Sequence, residues 1–190
     1  MDFQKCMNNF PWSRFGTVYE TNSKGLKEIF VKMFSGEAQP IDYKYVVERL
    51  EHQATLYRIT PWGLKFYACL LEQGKADKSI ILQNIKELFE AANYNIQGDI
   101  VDKYNPTKGN LAKYEQIKLK LFDENFDGTM DADFLKLFKS IERNFMQKCI
   151  MEYISHKKKM FEELMESNDK DISENASLLV RSINNPKQYI

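Results

Sequence analysis

Asn22-Ser23-Lys24-Gly25-Leu26-Lys27-Glu28-Ile29-Phe30-Val31-Lys32-Met33-Phe34-Ser35 sets Leu26, Ile29, Phe30, Met33 and Phe34 three and four residues apart, which is one face of an amphipathic helix. Asn22 and Ser23 are candidate N-caps, and Gly36 is a plausible C-terminal stop. Pro40 then opens a second helix with Tyr43, Val46, Val47 and Leu50 on its apolar side. Two helices joined by so short a loop pack as an antiparallel pair, and this rhythm recurs. Thr60-Pro61 starts a helix that buries Leu64, Tyr67, Leu70 and Leu71 before Gly74. A fourth follows Asp77 with Ile81, Ile85, Leu88, Phe89 and Ala92.

From Asn93 to Asn110 the chain carries Gly98, Pro106 and Gly109 among several asparagines, without a sustained helical period. Residues 95–110 therefore read as a connector between a helical N-terminal half, 1–94, and a helical C-terminal half, 111–190, in one compact unit. Beyond it, Leu111, Tyr114, Ile117 and Leu121 predict a helix. An acidic stretch from Asp123 to Asp133 interrupts. Phe134, Leu137, Phe138, Ile141 and Phe145 resume the pattern, and with neither Pro nor Gly from Phe134 to Met165 this is one long helix or two, with a bend at Ser155–Lys159. A last helix, capped by Asp171 or Ser173, uses Ala176, Leu179, Val180 and Ile183. No segment shows the alternation and paired turn residues of a β-hairpin. The expected fold is all-α: stacked antiparallel helix pairs, either a HEAT-like α-solenoid or an irregular helical bundle.

Twenty-seven basic residues balance twenty-seven acidic ones, which removes the broad positive field of a nucleic-acid binder. No stretch is apolar and long enough to span a membrane, and Met1-Asp2-Phe3-Gln4-Lys5-Cys6 does not open a secretory signal. Cys6, Cys69 and Cys149 are odd in number and widely spaced, so reduced thiols in a cytoplasmic protein are expected.

The region from Trp12 to Tyr94 resembles a group of bacterial HEAT-repeat-like proteins. It is carried by Trp12-Ser13, Phe15-Gly16, the helix from Leu26 to Phe34, and above all His52-Gln53-Ala54-Thr55-Leu56-Tyr57, followed by Thr60-Pro61 and the helix Leu64 to Leu71. In that group the equivalent stretch reads His-Gln-Gly-Thr-x-Tyr. Ala54 stands where Gly is usual, and Trp62-Gly63-Leu64-Lys65-Phe66 follows where the group's proline lies close to the Phe. His52, Gln53, Thr55, Tyr57 and Pro61 are thus structural motif residues. The resemblance implies a helical scaffold that presents a surface to partners. Many such proteins look like immunity components encoded beside bacterial toxins, so it also implies a cognate toxin domain as partner.

Asp123-Glu124-Asn125-Phe126-Asp127-Gly128-Thr129-Met130-Asp131-Ala132-Asp133-Phe134 fits a calcium-binding EF-hand loop at its first, third, fifth, sixth and ninth positions. Its twelfth is Phe134, where a bidentate Glu is required. The composition equally suits a turn in which Asp and Asn side chains cap backbone groups. It also suits a negative patch, Asp123, Glu124, Asp127, Asp131 and Asp133, that occludes a basic face of a partner. His52 is a possible proton carrier only if His156 converges on it with an acid such as Glu51 or Asp42. The run Lys157-Lys158-Lys159 suits i,i+4 ion pairs with Glu162, Glu163 and Glu166. No catalytic set, metal site or cofactor is expected. The sequence points to a non-catalytic, protein-binding immunity protein, the alternative being a calcium-responsive regulator built on residues 123–134.

Overall fold

Local capping decides where five of the ten described helices begin. In the computed structural model, which describes residues 1–98, 108–141 and 143–186 and the side chains of these except 95–98, 108–110 and 143–145, ten α-helices carry the described chain. Helix α1 (Phe3–Asn9) starts at Asp2, whose carboxylate accepts from Lys5 N at 3.0 Å, and buries Phe3, Cys6 and Met7. A 3₁₀ turn, Trp12–Arg14, follows Pro11, and the Trp12 indole donates to Met7 O at 2.9 Å.

Helix α2 (Lys24–Ser35) has the expected buried face and ends at Gly36, which takes the left-handed conformation at φ +83°. Glu37 N then reaches back to Lys32 O at 2.9 Å, closing the helix end. Ser23 holds the N-cap position, but its hydroxyl donates to Trp12 O at 2.9 Å and does not cap the helix. Helix α3 (Pro40–Leu50) begins with a capping box in which Gln39 N donates to Asp42 Oδ2 at 2.8 Å.

Between α3 and the next helix the structure corrects the expectation of no hairpin. Strands β1 (Glu51–His52) and β2 (Thr55–Leu56) pair antiparallel, Glu51 opposite Leu56 and His52 opposite Thr55. Gln53 and Ala54 form the two-residue turn, both at positive φ (50° and 60°). That is the geometry of a tight hairpin turn, normally filled by Asn-Gly, and its absence from the sequence hid the turn.

Helix α4 (Thr60–Gln73) is buried at every residue from Thr60 to Leu71. Such all-round burial makes it the axis of the N-terminal half. Gly63 lets it approach α3, since a Cβ there would stand 2.6 Å from Leu50 Cδ1. Helix α5 (Lys78–Gly98) starts at Asp77, which accepts from Ile80 N at 3.1 Å, and buries Ile81, Leu82, Ile85, Leu88, Phe89 and Ala92. It continues to Gly98, and α6 (Lys108–Phe122) starts at Lys108, so helix covers both ends of the stretch read as connector. Residues 99–107 lie outside the described residues.

The stretch from Phe134 to Met165 is broken twice, into α7 (Ala132–Ser140), α8 (Arg143–His156) and α9 (Lys158–Leu164). The first break was invisible locally. The Arg58 guanidinium donates to Phe138 O at 2.8 Å and Ile141 O at 3.2 Å, satisfying carbonyls at the end of α7. The second falls at Lys157, inside the expected bend. Helix α10 (Lys170–Asn184) is capped by Asp169, two residues before the earlier of the expected caps, while the Ser173 hydroxyl donates to Met165 O.

One hydrophobic core runs through both halves. The pairs α2–α3 and α4–α5 pack as read, but α5 also packs against α8 and α10, and α4 against α6 and α8. Aromatic rings fill the junction: Trp62 stacks on Phe126 at 5.1 Å, and Phe15 meets Phe138 at 5.8 Å. No helix among the described residues is long and apolar enough to cross a membrane.

Candidate functional site

The acidic loop, 123–131, lies between α6 and α7 and keeps most of its carboxylates at the surface while engaging them locally. Asp123 Oδ1 accepts from Asn125 N at 2.9 Å, Asp127 Oδ1 from Thr129 N at 3.0 Å, and Asp131 Oδ1 from Phe134 N at 2.7 Å, the last capping α7. Three of the five carboxylates thus close local turns. Gly128 sits at φ +90° with its Cα against α1, where a Cβ would run into Cys6 O and Phe10 N. Phe126 and Met130 are buried, which anchors the loop to the core.

Four lysines surround it, from α1, α4, α6 and the break between α8 and α9. Lys5 pairs with Asp127 at 3.4 Å, Lys120 Nζ donates to Thr129 O at 3.0 Å, and Lys157 bridges Glu124 at 2.8 Å and Glu72 at 3.3 Å. Thr129 N–H, followed by Lys5, holds the Asp127 carboxyl below the usual range. Burial would raise Glu124 and lower Lys157, but the bond between them outweighs it: Glu124 is held down and Lys157 up. The fourth, Lys65 of α4, is 4% exposed, and its Nζ donates to Leu121 O and Asp123 O, both at 2.8 Å. Burial pulls its pKa down to about 8. Lys65 carried no functional or structural signal in the sequence, because a lone lysine in an apolar run gives no hint of which carbonyls it will meet. Among the described residues no three His, Cys, Asp or Glu side chains are placed to hold a metal ion.

The histidines go to different places. Tyr19 Oη lies 3.3 Å from His52 Nδ1, at the hairpin. His156 ends α8, 4.8 Å from the Phe122 ring and 4.0 Å from Glu124. The acids that could have completed a set are engaged locally, Asp42 at the α3 cap and Glu51 on Ala54 N. In the lysine run, Lys158 and Lys159 make the expected i,i+4 pairs with Glu162 and Glu163, at 3.4 and 3.9 Å, whereas Lys157 turns to the acidic loop. All three cysteines are free and buried, and burial pushes Cys6 and Cys149 up to about 12 and Cys69 to about 11.

The motif residues around His52 build the hairpin and its joint to α4. Thr55 pairs with His52, Gln53 supplies the exposed turn, the Thr60 hydroxyl accepts from Tyr57 N at 3.0 Å, and Pro61 is buried in the first turn of α4. Beside them lies a cluster that the sequence did not assemble. The Arg49 guanidinium stands 3.1 Å from the Tyr45 ring centroid and 5.4 Å from that of Tyr19. Glu20 Oε1 accepts from Tyr45 Oη at 2.9 Å and from Arg49 Nε at 3.3 Å. Burial, with the Glu20 bond, keeps the Tyr45 hydroxyl protonated by raising its pKa. Tyr19 remains 57% exposed on this fixed support. Compared with known proteins, the chain matches no family model, no curated protein and no solved structure.

Proposed function

We propose that this chain is a non-catalytic protein-binding scaffold of the immunity type, which neutralises a cognate toxin domain by covering its active or target-binding surface. The observation that carries the binding part is the cluster Tyr19, Arg49 and His52: an exposed tyrosine held by an arginine and a histidine beside a protruding turn. Tyrosine and arginine dominate the residues that hold interfaces together, and side chains already fixed lose little freedom on binding. The toxin part rests on the resemblance through His52 to Leu71. The acidic loop is the weaker contact, since its carboxylates already serve the fold.

The test is co-expression with the product of the neighbouring gene, scored by rescue of growth and by recovery of a stoichiometric complex. Tyr19→Ala with Arg49→Ala is expected to abolish rescue while the protein stays folded. Replacing Asp127, Asp131 and Asp133 together by Asn, which can still accept the capping bonds, is expected to change association rate and its salt dependence only slightly. Full rescue by the Tyr19/Arg49 variant would remove the hairpin face, and a neighbour that is harmless alone and does not bind would remove the immunity reading.

A further inference from the structure

On the face of α7 that bears Ala132, Leu135, Lys136 and Lys139, these residues and Arg14 of the 3₁₀ turn line a groove of about 280 Å³. The helical spacing of the four α7 residues puts them on one stripe, i, i+3, i+4 and i+7. Leu135 is half-buried, and Arg14, Lys136 and Lys139 are exposed. Most lysines elsewhere are committed: Lys5, Lys44, Lys86, Lys118 and Lys148 pair with acids, and Lys65 and Lys120 hold carbonyls. Among the described residues, none of the three groove cations has an ion-pair partner. The acids of α7 flank Ala132 at one end of the groove, Asp131 occupied as N-cap and Asp133 in the first turn, while Lys136 and Lys139 lie one and two turns further on. The groove is apolar in the floor and positive where Arg14, Lys136 and Lys139 form its rim.

We propose that this groove binds an acidic protein segment that seats one apolar side chain on Leu135 and sets its carboxylates against Arg14, Lys136 and Lys139. Its volume falls below the roughly 300–1,000 Å³ of small-molecule pockets, which suits one side chain of a longer partner. Three cations on a chain with formal net charge +0 are too few to hold nucleic acid through its phosphates, a mode that takes about 6–10 contacts. An apolar floor would also be wasted on a bare anion. Opposite charge across the rim steers encounter, and burial of the apolar side chain gives the contact its persistence. The site is distinct from the Tyr19 cluster and stands whether or not the partner is a toxin.

The probe is a synthetic heptapeptide of six glutamates around a central leucine, titrated into the full chain by calorimetry and followed by backbone amide shifts. Binding weaker than micromolar is expected, with the largest shifts on α7 and affinity falling as salt rises. Lys136→Glu with Lys139→Glu is expected to lower affinity by about tenfold or more. Leu135→Gln, or replacing the peptide's leucine by serine, is expected to lower it by about three- to tenfold. These changes are on exposed or half-buried positions, and unchanged helicity shows that the variants remain folded. Equal binding of the serine peptide or of inorganic triphosphate would overturn the proposal in favour of plain anion attraction. It is also overturned by unchanged affinity of the double lysine variant, or by no binding up to about 5 mM peptide.

Discussion

The hairpin at 51–56 and the acidic loop at 123–131 both join helices through polar residues, yet they commit those residues differently. The hairpin sends its backbone outward through Gln53 and Ala54 and leaves Tyr19 exposed against His52. The acidic loop folds its carboxylates onto its own backbone, onto Lys5 of α1 and onto Lys157 at the α8–α9 break, gives Thr129 O to Lys120 of α6, and buries Phe126. Charge displayed on a surface is therefore not charge left free, since four of the five acids are engaged although they remain accessible. What separates the two loops is the supply of distant cations.

The contrast breaks most sharply at Gly128. Gly128→Ala adds a Cβ at φ +90° against the Cys6 and Phe10 backbone, so the loop must leave α1. Strain and overpacking together predict a loss of roughly 4 kcal/mol, or failure to fold, in urea unfolding. A loss below about 1 kcal/mol would show that the loop is not seated as described.

Lys65 comes next. Its pKa is lowered from 10.5 to about 8 in the folded chain, so between those values the unfolded chain binds the extra proton and stability gains as pH rises. Burial of Cys6, Cys69 and Cys149 works the other way, because the folded chain holds those protons longer. The Lys65→Met variant removes only the first effect. The stability of the native protein relative to that variant is expected to climb by about 3 kcal/mol across this window, and a flat difference would mean that the ammonium is solvated.

At the hairpin the sign reverses. Ala54→Gly relieves a left-handed alanine at φ 60° and is expected to stabilise the protein by about 1 kcal/mol, read as a raised melting temperature. Smallest of all is Asp127→Asn. The Lys5 contact it weakens is half exposed, so a slight loss at low salt should vanish at high salt, and a loss that persists would show a less screened contact.

How far the sequence revealed this fold depends on whether the deciding contacts are local. The α2 face and its Gly36 stop, the Pro40 start and the Asp77 cap all follow from spacing within a few residues. Helix α1 escaped because its Phe3, Cys6 and Met7 supply a single i, i+3, i+4 set that is not repeated. The α7–α8 break escaped because neither Pro nor Gly marks it and its carbonyls are held by Arg58, some eighty residues earlier. At the site, the five acids were plain to see, but Lys5 of α1, Lys65 of α4 and Lys157 at the α8–α9 break reach the loop from three distant parts of the chain. The Tyr19–Arg49–Glu20 cluster likewise depends on α3 lying beside the turn before α2.

The three buried thiols offer a built-in clock for how the protein opens. Cys6 and Cys69 belong to α1 and α4, and Cys149 belongs to α8, so each becomes available to an alkylating reagent only when its own helix parts from the core. Equal labelling rates at all three would show the halves opening as one cooperative body. Earlier labelling of Cys6 would show the first helix peeling away alone, carrying with it the wall against which Gly128 rests.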